Sequence, residues 1–202
     1  MRNLSLAKNF LNLSLLIMGS LVSSVGLAQS SGNYPNKPIT LVVTYPPGGG
    51  ADAMARLLAP KMGEALGQSV IVENKPGASG QIAAAAVAKS APDGYTMMLD
   101  ASSFAVNPSL YSKLPYDSLK AFKPIGVVAL FPNVVLVNSN FSAKNVSELI
   151  ATAGKTKESV SYASSGNGSA QHLAGALFES AAKVDMVHVP YKGGGPALND
   201  VI

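Results

Sequence analysis

The sequence predicts an α/β protein built on a doubly wound parallel sheet, and three observations carry that prediction. Runs rich in β-branched residues, apolar on both faces, alternate with stretches whose apolar residues recur every three or four positions, as strands covered by helices would. A glycine-rich turn stands between strand and helix twice, in "TYPPGGGAD" (44–52) and in "SGNGSAQ" (165–171). The chain has 202 residues, 48% of them hydrophobic, which is enough to bury a core and excludes a disordered chain.

Taken in order, "PITLVVTY" (38–45) reads as the first strand. Met54, Leu57, Leu58, Met62, Ala65 and Leu66 then form one helical stripe, within which Pro60 removes the bond to residue 56 and predicts a kink. "QSVIVEN" is a second strand, "GQIAAAAVAKS" a second helix, "APDG" a turn and "YTMMLD" a third strand. Parallel β-α-β-α-β units of this kind commonly place strand one in the middle, and ligands bind where the winding reverses, outside the carboxyl ends of the flanking strands. Those ends are "TYPPGGGAD" and "DASS" (100–103). From Phe104 the texture becomes a loop-rich passage with three prolines, followed by two β-type runs, "IGVVAL" (125–130) and "NVVLVN" (133–138). This marks a crossing into another domain, which divides the chain into 29–103 and 104–202. "NVSELIATAGK" opens with Asn145 and Glu148 in a capping-box pattern. "SVSYAS" is the next strand, and after the second glycine turn Leu173, Ala174, Leu177, Phe178 and Ala181 share a helical face.

The N-terminus reads as a secretory signal peptide over residues 1–28. Arg2 and Lys8 precede a mostly apolar core at Phe10–Val22, and "GLAQ" supplies small residues for cleavage after Ala28. Asn12 and Ser14 interrupt the core, whereas a membrane span needs about 20 apolar residues. Without Arg2 and Lys8 the charge falls from +4 to +2, thirteen basic residues against eleven acidic, and these are scattered, which argues against nucleic acid as a partner. The absence of cysteine excludes disulfides, thiolate metal sites and a thiol nucleophile, and two histidines leave little for zinc. No cofactor is implied.

At a helix start the first N–H groups lack partners and the backbone dipoles sum to roughly +0.5 charge, so both glycine turns are anion seats. Asp52 and Ser169 fit helix caps better than ligand contacts, and Arg56 belongs to the helix surface. His172, in a first helical turn where the dipole favours the neutral form, is balanced between packing and ligand contact, and His188 reads as structural. Other chemistries match poorly. "GGGADA" and "GNGSAQ" lack the last glycine of a dinucleotide fingerprint, nothing matches G-K-[ST], and "YASSG" has Tyr162 where a hydrolase elbow needs glycine.

Five long stretches, "YPNKPITLVVTYPPGGGADAMARLLAPKM", "LGQSVIVENKPGASGQIAAAAVAKSAPDGYT", "LYSKLPYDSLKAFKPI", "SYASSGNGSAQHLAGALFES" and "VHVPYKGGGPALNDVI", resemble the Bug family of periplasmic receptors of tripartite tricarboxylate transporters. The resemblance implies a two-lobed, Venus-flytrap fold of the periplasmic binding protein kind. It implies a non-enzymatic, monomeric receptor that captures a small carboxylate or related metabolite in the periplasm and presents it to membrane subunits. Carried over residue by residue, the first lobe would contact the ligand through Tyr45, Pro47, Gly48, Gly49, Asp52, Ser102 and Ser103. The second would do so through Ser164, Gly166, Gly168, Ser169 and His172. Thr44, Gly50 and Ala51 depart from the family's usual residues, which bears on the ligand and not on the family. Two alternatives stay open, an exported serine hydrolase using Ser164 or Ser169 and a ligand-loaded sensor for a signalling receptor. The final helix, read from Pro196, stops without a cap, and the family runs roughly half again longer, so the C-terminal part of the second lobe is expected to be missing.

Overall fold

The computed structural model describes residues 34–202, and the predicted signal peptide with its cleavage point lies outside the described residues. Strand β1 (Ile39–Val43) is the centre of a three-stranded parallel sheet, flanked by β2 (Val70–Asn74) and β3 (Thr96–Leu99). The register pairs Leu41 with Val72 on one side and with Met97 on the other. Ile39, Leu41, Val42 and Val43 are all buried, as a strand with helices on both faces requires.

Helix α1 (Gly50–Leu66) follows β1 without interruption at Pro60 and ends on Gly67 in the left-handed conformation, φ 66°. Its buried line is Asp52, Ala55 and Ala59, while Leu57 faces solvent. The packed face is thus rotated from the leucine and methionine stripe. Ala55 joins the cluster of Leu41 and Val43, and small side chains let the helix axis approach the sheet. A 3₁₀ turn (Ala78–Gly80) leads into α2 (Gln81–Ala88), whose Ala83 and Ala84 are fully buried.

Helix α3 (Ser103–Leu110) stands where the sequence, with three prolines from Phe104 on, predicts loop, and it carries Pro108 inside it. It holds through its surroundings. Ala105 and Val106 donate to the Ser102 carbonyl, and Phe104 stacks on Tyr116 and meets Phe122 edge-on at a centroid distance of 5.1 Å. The two β-type runs at 125–130 and 133–138 form no strand. Leu130 is 89% and Phe131 69% exposed, and no described strand lies beside them. A strand needs a neighbour to receive its N–H and C=O groups, so β propensity alone does not make one.

Helix α4 (Val146–Ala153) begins as expected on Asn145, whose side chain accepts from Glu148 N, while Glu148 reaches back to the amide of Lys144. Strand β4 (Ser161–Ser164) pairs in parallel with β5 (Val187–Pro190), with α5 (Ala170–Ala182) between them in sequence and α6 (Gly194–Val201) after. On α5 the packed face differs from the predicted stripe. Leu173 and Leu177 of that stripe are exposed and Gly175 instead lies on the Tyr162 ring, which comes within 2.2 Å of where a Cβ would stand, while Phe178 of the stripe does pack, joining the cluster of Leu149, Val160 and Met186.

Candidate functional site

The first glycine turn leaves β1 at Thr44. Gly48 takes φ 84°, Gly49 caps α1 in an extended conformation, and the first intrahelical bond runs from Ala53 N to Gly49 O. The amides of Gly50, Ala51 and Asp52 therefore precede the helical ladder. Asp52 is buried and folds back onto the turn. Its carboxylate accepts from Gly48 N at 3.0 Å, from Arg56 Nε at 3.0 Å on both oxygens, and from Asn74 Nδ2 at 2.9 Å. Asn74 also donates to the Tyr45 carbonyl. Arg56, with the Gly48 amide and Asn74, holds the Asp52 carboxyl down at about 2. Its lone pairs are spent on the protein, and Asp52 staples the loop.

Beside this turn, Tyr45 Oη and Ser103 Oγ are 2.9 Å apart, and Ser103 and Thr44 both donate to Asp100 Oδ1, at 2.9 and 2.8 Å. Asp100 Oδ2 is buried without a partner, and burial pushes this carboxyl up. Ser102 and Pro47 are exposed at the rim.

The second turn repeats the layout with different fasteners. Gly166 and Gly168 take φ 129° and 73°, and Ser169 caps α5 by accepting from His172 N. Gly168 N donates to His172 Nδ1 at 3.0 Å, so that ring nitrogen serves as an acceptor. Ser164 Oγ accepts from Gly166 N and lies 2.7 Å from His188 Nε2. The His172 and His188 rings stack at 3.9 Å and 9°. Burial first, and then His172, hold the His188 imidazole below its usual range, partly offset by Glu179.

A third glycine turn, "GGGPA", echoes "GGGAD" and is legible only by that likeness. Between β5 and α6, Gly193 takes φ 127°, and a Cβ there would stand 2.7 Å from Pro46 Cγ. At Gly195 it would stand 3.6 Å from the Gly48 carbonyl. The start of α6, at Gly194 rather than Pro196, thus abuts the first turn. The second turn touches the first sheet's elements too, through Asn167 and Gly168 against Ser79 and Leu110. Three helix starts preceded by glycine therefore gather at the carboxyl ends of the strands. The arrangement can hold an anion with main-chain N–H groups.

The Ser164–His188 contact bears on a hydrolytic reading. Ser164 is only 1% exposed, its hydroxyl already fastens Gly166, and no hydrogen bond from His188 to a carboxylate is seen among the described residues. The described residues contain no group of metal-ligating side chains and no helix long and apolar enough to cross a membrane.

Parallel sheets with glycine turns at the carboxyl ends of their strands define the class, an α/β protein with the fold of periplasmic solute-binding proteins. Solved structures share that fold. Rpa4515 of R. palustris with adipate superimposes with a TM-score of 0.80 at 37% identity, covering 83% of this chain and 56% of that one. MatC (Rpa3494) from Rhodopseudomonas palustris with bound malate gives 0.76 at 33% identity, over 83% and 57%. The periplasmic binding protein BugD gives 0.73 at 37%, over 83% and 56%. The chain belongs to the tripartite tricarboxylate transporter receptor family (TctC), whose profile matches residues 54–202. It is 38% identical to protein BugT of Bordetella pertussis over 93% of this chain and 59% of that protein, and 37% identical to the UPF0065 protein in the tcbD-tcbE intergenic region of Pseudomonas sp. strain P51 over 91% and 54%. The chain thus spans a little over half the length of these relatives.

Proposed function

We propose that this protein is a periplasmic receptor that binds a small carboxylate, without turning it over, and presents it as a monomer to the membrane subunits of a tripartite transporter. The observation that carries the proposal is the meeting of three glycine-led helix starts beside strand ends, in a region whose nearest guanidinium, Arg56, is already committed to Asp52. A carboxylate is then held by the backbone amides of Gly50, Ala51 and Asp52 at the first turn and of Ala170 and Gln171 at the second, with bridging water where the reach is longer. Tyr45, Ser102 and Ser103 line one side and Ser164, Ser169 and His172 fasten the other. Residues 29–103 and 104–202 form the two lobes that close on the ligand, and a leader cleaved after Ala28 delivers the chain to the periplasm. The adipate and malate bound by similar proteins support the ligand class.

Calorimetric titration with malate, adipate and their monocarboxylate and amide analogues tests this. Saturable heat for a dicarboxylate, lost on amidation, is the expected result. No response to any carboxylate, or hydrolysis of activated esters that disappears in Ser164→Ala, overturns it in favour of the hydrolase.

A further inference from the structure

The segment from Gly77 to Gly80 carries four consecutive residues at positive φ, of 128°, 47°, 53° and 83°. Glycine meets that conformation freely at the two ends. Ala78 and Ser79 do not, and a left-handed backbone brings their Cβ too close to the following carbonyl oxygen. Asn74 holds the neighbouring turn by hydrogen bonds, and among the described residues no hydrogen bond from residues 77–80 reaches the first glycine loop, although Gly80 lies against Thr44. The strain is instead matched by what Ser79 reaches. Its Oγ donates to the Asn167 carbonyl at 2.8 Å, across 88 residues of sequence, and lies 3.3 Å from Tyr111 Oη. Its own carbonyl accepts from Nδ2 of the fully buried Asn107 at 2.9 Å. Asn167 is the residue between Gly166 and Gly168, the two glycines of the second anion seat. Strained backbone that persists beside a binding element points to a role for the strain.

Resting on the receptor reading above, we infer that Ser79 is a positioning residue for binding: its hydroxyl clasps Asn167 and holds the second glycine turn against the first half of the molecule. The left-handed backbone aims the hydroxyl. Asn107 fixes the carbonyl end of the same residue, and Gly168, seated where a Cβ would meet Leu110 Cδ1 at 2.6 Å, lets the turn lie flat on α3. Opening of the cleft would break this clasp, so the Ser79 hydroxyl favours the closed arrangement and slows release.

The test is hydrogen exchange and adipate dissociation on the full chain with Ser79→Ala, Ser79→Gly and Ser79→Asn. Ser79→Gly removes hydroxyl and strain together, so folding is not at risk. Ser79→Asn keeps a donor on a residue that tolerates positive φ. Both Ser79→Ala and Ser79→Gly are expected to speed exchange at amides 166–173 by about threefold or more and adipate release by about fivefold, the scale of one hydrogen bond, with Ser79→Asn restoring much of each. A residue that merely shapes its own turn predicts otherwise: unchanged exchange at 166–173 in both variants, which overturns the clasp. Exchange is read without ligand. Failure of adipate to bind any form therefore counts against the receptor reading, while the exchange result still decides the clasp.

Discussion

The two glycine turns at 44–52 and 164–172 share one plan and are fastened by opposite chemistry. The first is stapled by ions, a buried aspartate gripped by Arg56 and the Gly48 amide. The second is stapled by neutral groups, His172 accepting from Gly168 and Ser164 accepting from Gly166 and paired with His188. A main-chain anion seat needs rigid amides, and either set of side chains supplies the rigidity. What differs is the condition under which each lets go.

The largest expected effect separates the glycines themselves. At Gly49, φ is −90° and a Cβ would meet nothing nearer than Pro46 O at 3.8 Å, whereas at Gly168, φ is 73° and the Cβ falls 2.6 Å from Leu110 Cδ1. Gly49→Val is therefore expected to abolish carboxylate binding with little change in thermal stability. Gly168→Val is expected to lose binding and also destabilise the fold by about 2–4 kcal/mol. Thermal unfolding and calorimetry on both variants read this directly, and equal melting points would mean that the second turn does not rest on α3.

Next comes the staple of the first turn. Asp52→Ala leaves the Gly48 amide and the Arg56 guanidinium without their acceptor, at an expected cost of about 2 kcal/mol in denaturant unfolding. The matching change at the second turn, His172→Ala, removes a neutral bond and should cost less, about 1 kcal/mol.

Acid sharpens the contrast. The Asp52 carboxyl is depressed to about 2, so its contribution is complete above the ordinary carboxylate pKa near 3.8 and is lost only as pH falls from there through about 2. The His188 imidazole is also depressed, so the stability tied to its neutral form is complete above about 6.5, the ordinary histidine value, and drains away as pH falls below it. Besides His172, the groups that bear on this ring are Tyr162, stacked obliquely against it, and Glu179, which favours its protonation. Between pH 7 and 5 the protection of amides 164–173, taken relative to the intrinsic exchange rate at each pH, should fall several-fold while that of amides 48–53 holds steady, and His188→Gln should flatten the change. Simultaneous loosening of both turns would contradict the division.

The smallest effect belongs to Arg56. Its side chain is 55% exposed and pairs within its own helix, so Arg56→Gln should alter carboxylate affinity by less than about tenfold, or roughly 1.4 kcal/mol, with weak salt dependence in titrations. A steep salt dependence lost in this variant would make the guanidinium a direct ligand contact.

The two glycine turns and the Asn145–Glu148 cap are legible in the residues because they rest on local rules, the freedom of glycine and the reach of a side chain over one turn, and the parallel order β2-β1-β3 follows from the usual winding of β-α-β units. Even Asp52 and Arg56 could be seen four residues apart, but not Asn74, which joins them from the neighbouring strand. Which face each helix buries is set by packing across the fold, since Ala55 on α1 and Gly175 on α5 are chosen by how closely β1 and Tyr162 approach. The same long-range contacts leave the apolar runs at 125–138 without a strand neighbour among the described residues, let α3 survive Pro108, and bring Gly193 to Pro46 and Ser79 to Asn167. Range separates the two groups. Propensity acts within a few residues, whereas obstruction, burial and hydrogen bonds across the fold depend on what a distant segment brings within 3–4 Å, and no local pattern records that.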